Sequence, residues 1–181
     1  MMFLKRLIFK VGRLLATPWR KSKQRRYADP SAAGIPRMEF PNAKYLPLVR
    51  KAIAGGEKAI ISVKGFSMRP FLEHERDRVE LAPWTNLCVG DAVLAEIQPG
   101  QFVLHRIIDI QGRELTLMGD GNIRGTEYCT TADVCGVVTK YLRPGGHELL
   151  ASDPSLIRKI NIWRRLLPIR RLLLFFYKLT V

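Results

Sequence analysis

The chain has 181 residues, 47% of them hydrophobic, and a formal net charge of +14, which fits one core-forming domain with appendages. The charge is uneven: residues 1–26 hold nine Lys/Arg and no acid, residues 152–181 hold seven Lys/Arg and one acid, and residues 27–151 hold 14 bases against 15 acids. A neutral body with basic, apolar ends argues against a nucleic-acid binder, which carries its basic face on the folded body, and points to an anionic membrane surface.

Residues 1–26 place Phe3, Leu7, Val11 and Leu14 at helical spacing, flanked by Leu4, Ile8 and Leu15, with Lys5, Arg6, Lys10 and Arg13 mostly opposite. Nothing there approaches the roughly 20 apolar residues that cross a bilayer. Charge also interrupts the stretch too often for a secretory signal. The reading is an interfacial anchor; a transit peptide and a helix packed on the domain are the alternatives. Residues 27–42, rich in Pro, Gly and Ser, read as a linker.

Residues 43–150 read as one β domain. A short helix ends at Gly55-Gly56, and six strands follow at residues 59–65, 78–83, 91–97, 102–110, 114–119 and 135–143. Residues 98–101 and 111–113 connect hairpins. The expected class is mainly β (α+β): a small, twisted, mainly antiparallel sheet or half-barrel with amphipathic helices at both termini.

Residues 151–181 open with Ser152 or Asp153 as a cap and Pro154 in the first turn. Leu156, Ile160, Trp163 and Leu167 form one face, and Pro168 should kink or break the helix. The apolar run 172–177 is read as lying in a membrane interface, with Trp163 and Tyr177 at headgroup depth and Arg164, Arg165, Arg170 and Arg171 toward phosphates. The alternative is a helix covering the domain's own core.

Three cysteines, Cys88, Cys129 and Cys135, without a Cys-x-x-Cys pair argue against a disulfide frame and a zinc site. His74 and His147, among turn residues, are read as surface. Two phrases carry chemistry. In "GFSMRP" (65–70), Gly65 before Ser67 and Pro70 after it force a sharp turn, with Met68 able to pack beneath. Such a turn lifts a hydroxyl out of the sheet and presents backbone N–H groups to an oxyanion. In "VLHRI" (103–107), strand alternation puts Val103, His105 and Ile107 on one face and Leu104, Arg106 and Ile108 on the other. A serine needs a positioned base to become a nucleophile, and a neutral histidine is such a base. Taken singly, each residue reads as an ordinary turn serine or core histidine.

Four phrases in order change that weighting: "GFSMRP" (65–70), "VGDAVL" (89–94), "VLHRI" (103–107) and "MGDGN" (118–122). Together, over about residues 58–142, they resemble the signal peptidase superfamily of serine peptidases, which includes self-cleaving repressor peptidases. The match is to the archaeal and endoplasmic-reticulum type that uses histidine as base. The resemblance implies a sheet of the signal peptidase type, Ser67 as nucleophile and His105 as general base. Asp120, or else Glu127, would support the base, Asp91 would hold its turn, and the Ser67 N–H would be an oxyanion donor. Many members carry a second serine two residues before the nucleophile, where this chain has Gly65; repressor-type relatives also carry glycine there.

The expectation is therefore a serine endopeptidase cleaving a precursor or leader polypeptide at an anionic membrane surface, peripheral or monotopic on the cytoplasmic face. It needs no cofactor or metal and binds no nucleic acid. The alternatives are a catalytically silent, membrane-tethered peptide-binding module of the same fold and a self-cleaving repressor-type regulator, for which the chain offers no convincing helix-turn-helix.

Overall fold

A computed structural model describes residues 42–179. The expected N-terminal anchor and almost all of the linker lie outside the described residues. The first helix, α1 (Asn42–Ala54), buries Val49 and Ile53, one turn apart, and ends at Gly55-Gly56.

Eight strands follow: β1 (Ala59–Ser62), β2 (Arg78–Ala82), β3 (Ala92–Gln98), β4 (Gln101–Gln111), β5 (Glu114–Met118), β6 (Glu127–Thr130), β7 (Val134–Arg143) and β8 (His147–Leu150). All pairings are antiparallel. The sheet is open, in the order β1-β2-β7-β3-β4-β5-β6, with β8 paired to β7. Six strands agree with expectation to within three residues at their ends; β6 and β8, four residues each, are additional.

Strand alternation divides the core. On β3, Ala92 and Leu94 join the larger apolar cluster, which includes α1, Val79, Leu81, Val138 and the C-terminal helices. Val93 and Ala95 face the smaller one, with Ile107, Leu115, Leu117 and Val134. The long strand β4 therefore presents consecutive side chains to two different environments.

The C-terminal segment departs from the interfacial reading. Asp153 caps α2 (Pro154–Arg165), its carboxylate accepting from the amides of Ser155 and Leu156 at 2.8 and 3.2 Å. The helix stops before Pro168, which sits in a 3₁₀ turn (Leu167–Ile169), and α3 (Arg170–Lys178) resumes beyond it. Leu156, Ile160, Trp163, Leu173 and Leu174 are all buried in the larger cluster. Trp163, expected at headgroup depth, is 1% exposed and donates its indole N–H to the Asp120 carbonyl at 2.7 Å. Tyr177, expected there too, donates its hydroxyl to Glu73 at 2.7 Å. Arg170, expected among the membrane-facing cations, is 4% exposed and donates to the Asn122 carbonyl at 2.8 Å. The reason is packing: the neutral β domain leaves one face uncovered, and this segment's apolar side is the nearest cover. Among the described residues no helix is long and apolar enough to cross a membrane.

Candidate functional site

The Ser67 turn follows β1 directly. Gly65 has φ +91°, a region that L side chains rarely adopt, so the backbone itself calls for glycine at this position. Its N–H donates to His74 Nδ1 at 3.1 Å. Met68 is buried in the larger cluster, and its carbonyl accepts from the amides of Phe71 and Leu72 at 3.1 and 3.0 Å. Pro70 is also buried, so the turn has an apolar floor, and Ser67 sits half-buried above it.

Two glycines bring the turn against the end of β5. The Gly121 N–H donates to the Ser67 carbonyl at 2.6 Å. A Cβ on Gly119 would lie 2.5 Å from the Ser67 carbonyl oxygen and 3.0 Å from its Cβ. Only glycine leaves room for that approach. The β4–β5 register pairs Arg106 with Met118 and Ile107 with Leu117, so continuing it one step past the end of β5 would set Gly119 opposite His105. Paired residues share a face, so that continuation would put the Ser67 backbone, which meets Gly119, on the His105 side of the sheet.

His105 is buried, with Val93 opposite on β3. Its Nδ1 lies 2.8 Å from Glu127 Oε2. A carboxylate only accepts, so in the neutral ring Nδ1 carries the hydrogen and Nε2 is the acceptor nitrogen. Glu127 reaches the ring because β6 pairs Leu117 with Glu127, which puts Glu127 in the row of Ile107 and Leu117 on the His105 face. No hydrogen bond joins the Ser67 hydroxyl to His105.

Asp120 lies on the other face. Its carboxylate accepts from Arg106 Nε at 2.8 Å and Nη2 at 2.5 Å, and Arg106 Nη1 donates to the Gly90 carbonyl at 2.7 Å. The guanidinium also lies 5.5 Å from the Phe71 ring centre. Burial disfavours its charge, but Asp120 and Tyr141 outweigh that and hold its pKa above the ordinary arginine value. Of the two acids proposed for His105, the structure brings Glu127 to the ring and commits Asp120 to Arg106. Asp91 accepts from the Cys88 N–H at 2.8 Å and so holds its own turn.

A collar of side chains grips the Ser67 turn, and the sequence did not announce it. The Phe66 ring meets His74 edge-on at 5.0 Å, and the Arg69 guanidinium covers the same ring at 4.3 Å. Arg69 pairs with buried Glu73 at 2.8 Å, and Glu73 receives the Tyr177 hydroxyl from α3. Burial, together with that bond, raises the Tyr177 pKa above its ordinary value. His74, read as a surface residue, is thus a member of the turn; a ring-nitrogen acceptor nine residues after Gly65 leaves no periodic signal in the sequence.

No family model, curated protein or solved structure matches this chain. The site therefore stands on its own geometry. Among the described residues there is no group of His, Cys, Asp and Glu that could hold a metal ion. Burial pushes the Cys129 and Cys135 thiols up to about 11, so both are protonated at neutral pH and poor nucleophiles. The three cysteines are free.

Proposed function

We propose that the chain is a serine endopeptidase resembling signal peptidases, cleaving a precursor or leader polypeptide at a membrane surface. What supports this reading is the placement of three groups: Ser67 packed on Gly119 just past the end of β5, His105 on the neighbouring strand β4, and Glu127 bonded to His105 Nδ1. Glu127 fixes the tautomer, so Nε2 is free to take the Ser67 proton as Oγ attacks the scissile carbonyl. The Ser67 N–H donates to the tetrahedral oxyanion. The leaving amine takes the proton back from His105, and water then hydrolyses the acyl-enzyme with the same base. An extended substrate would add to the outer edge of β1, whose strand partner among the described residues is β2, sharing or displacing the Tyr45 hydroxyl that now donates to the Ile60 carbonyl there.

A second reading, a silent peptide-binding module of the same fold, draws support from Gly65. Its positive φ disfavours the serine that would supply a side-chain oxyanion donor, and one such donor contributes about 3 kcal/mol.

A fluorophosphonate probe separates the two without a known substrate. The enzyme reading expects covalent labelling at Ser67 by mass spectrometry in wild type and none in Ser67→Ala or His105→Ala. Equal labelling in wild type and His105→Ala, or no labelling of wild type, sinks it. Peptide mass spectrometry of cells carrying wild-type or Ser67→Ala protein would then name the precursor.

A further inference from the structure

The helix α3 has two apolar faces. Arg170, Leu173, Leu174 and Tyr177 turn inward, the first three of them buried. Opposite them, Leu172, Phe175 and Leu179 stand 39%, 58% and 69% exposed. Their spacing of three and four residues puts them on one stripe at the outermost line of the helix. A helix lying on a protein in water turns polar groups outward, and one that is apolar all round is normally covered. The preceding 3₁₀ turn adds exposed Leu167 and Ile169.

The chemistry around the stripe selects its occupant. Arg171 and Lys178, both exposed, lie one turn-edge away on the same side of the helix, and no acid follows Asp153 in the chain. An apolar stripe edged by cations complements acyl chains beneath anionic headgroups. A second copy of this chain would bring the same cations to the same face. Residues 1–26 carry nine Lys/Arg and no acid, so they offer no anionic partner to Arg171 and Lys178. Nine residues of helix are about 14 Å long, less than half a bilayer core of about 30 Å, so the helix fits only in the plane of the interface.

We infer that the outward face of α3, centred on Leu172, Phe175 and Leu179, seats on an anionic bilayer. This replaces the broader expectation of a wholly interfacial C-terminal segment: Trp163, Arg170 and Tyr177 belong to the core, and only the far side of α3 meets lipid. The inward side of the same helix holds Glu73 through Tyr177, and Glu73 holds Arg69 beside Ser67. On the peptidase reading, which this consequence rests on, the substrates are precursors whose scissile bond lies close to the membrane.

The test uses the full chain with Phe175→Trp in a Ser67→Ala background, so that peptidase activity is not needed. The probes are phosphatidylglycerol–phosphatidylcholine vesicles and pure phosphatidylcholine vesicles, each with brominated acyl chains. The emission added by the new indole should shift blue and be quenched by the anionic vesicles, with little change on the neutral ones. Adding Arg171→Gln and Lys178→Gln should raise the vesicle concentration for half-quenching about 30-fold at low salt. Chain that floats with anionic vesicles while the indole stays unquenched would overturn the proposal, since the anchor would then lie elsewhere. Equal quenching on neutral vesicles would overturn its anionic part. An indole already blue-shifted and shielded from acrylamide without vesicles would overturn it in favour of a protein cover, and sedimentation would tell a second copy from residues 1–41. Quenching as expected with no fluorophosphonate labelling of wild-type Ser67 would retire the peptidase reading and leave the docking face standing.

Discussion

His105 and Arg106 are neighbours on one strand, and each pairs with its own acid, yet the two pairs sit in different surroundings. Arg106 and Asp120 are sealed under Phe71 and the C-terminal helices, with every guanidinium nitrogen bonded. His105 and Glu127 lie on the other face, where Glu127 remains partly exposed. One pair is enclosed on all sides and suits structure. The other keeps a ring nitrogen directed away from its acid, and suits chemistry. The difference teaches that an acid's position in a motif says less than the face of the sheet it occupies.

The largest expected effect tests the enclosed pair. Asp120→Ala leaves Arg106 buried and unpaired, and should cost about 3–5 kcal/mol of stability, read as a fall in Tm or in the urea midpoint. If Tm holds while Ser67 labelling vanishes, Asp120 belongs to the site and the two faces have been assigned the wrong way round. Glu127→Gln should do the converse. Cleavage or labelling should drop on the order of 10⁴-fold, with a stability cost of only about 1 kcal/mol.

Gly119→Ala probes the contact between turn and strand. Its methyl would meet the Ser67 carbonyl, a backbone atom that cannot swing aside, so Ser67 must shift; about 100-fold loss of labelling is expected with a cost of about 1–3 kcal/mol. Smaller still is the effect at His74. His74→Asn keeps an acceptor near the Nδ1 position, and His74→Gln places it too far out. Asn should keep most of the labelling rate and Gln lose about tenfold, the scale of one modest hydrogen bond. The same loss in both variants would reduce His74 to packing against Phe66.

The smallest effect lies at Asp153, far from either pair. Its pKa is lowered by the Ser155 hydroxyl bond, against some desolvation, and by the amides of Leu156 and Ser155. A carboxylate lowered in the fold stabilises above its unfolded pKa of about 3.9 and loses that contribution as pH falls through the folded value. Asp153→Ala should therefore cost about 1 kcal/mol at neutral pH, and the gap to wild type should close below about pH 4. A gap that persists in acid would mean the cap acts through something other than its charge.

Local signals determined much of this protein. Alternating β-branched runs and Gly/Pro connections marked six strands, because strand periodicity and turn chemistry are properties of a few adjacent residues. Ser152 or Asp153 ahead of Pro154 announced the start of α2, and Pro168 a kink or break beyond it, for the same reason. The alternation of residues 103–108 already separated His105 from Arg106. Other features depended on partners distant in the chain. The four-residue strand β6 carries too few residues for a pattern, and with it went the register that sets Glu127 beside His105 rather than Asp120. Gly65 read as a missing donor until its positive φ showed a backbone that calls for glycine. The C-terminal run, basic and apolar, was compatible with lipid on every side; tertiary packing alone decided which side the core takes, because burial depends on the surface a helix meets and not on the helix itself.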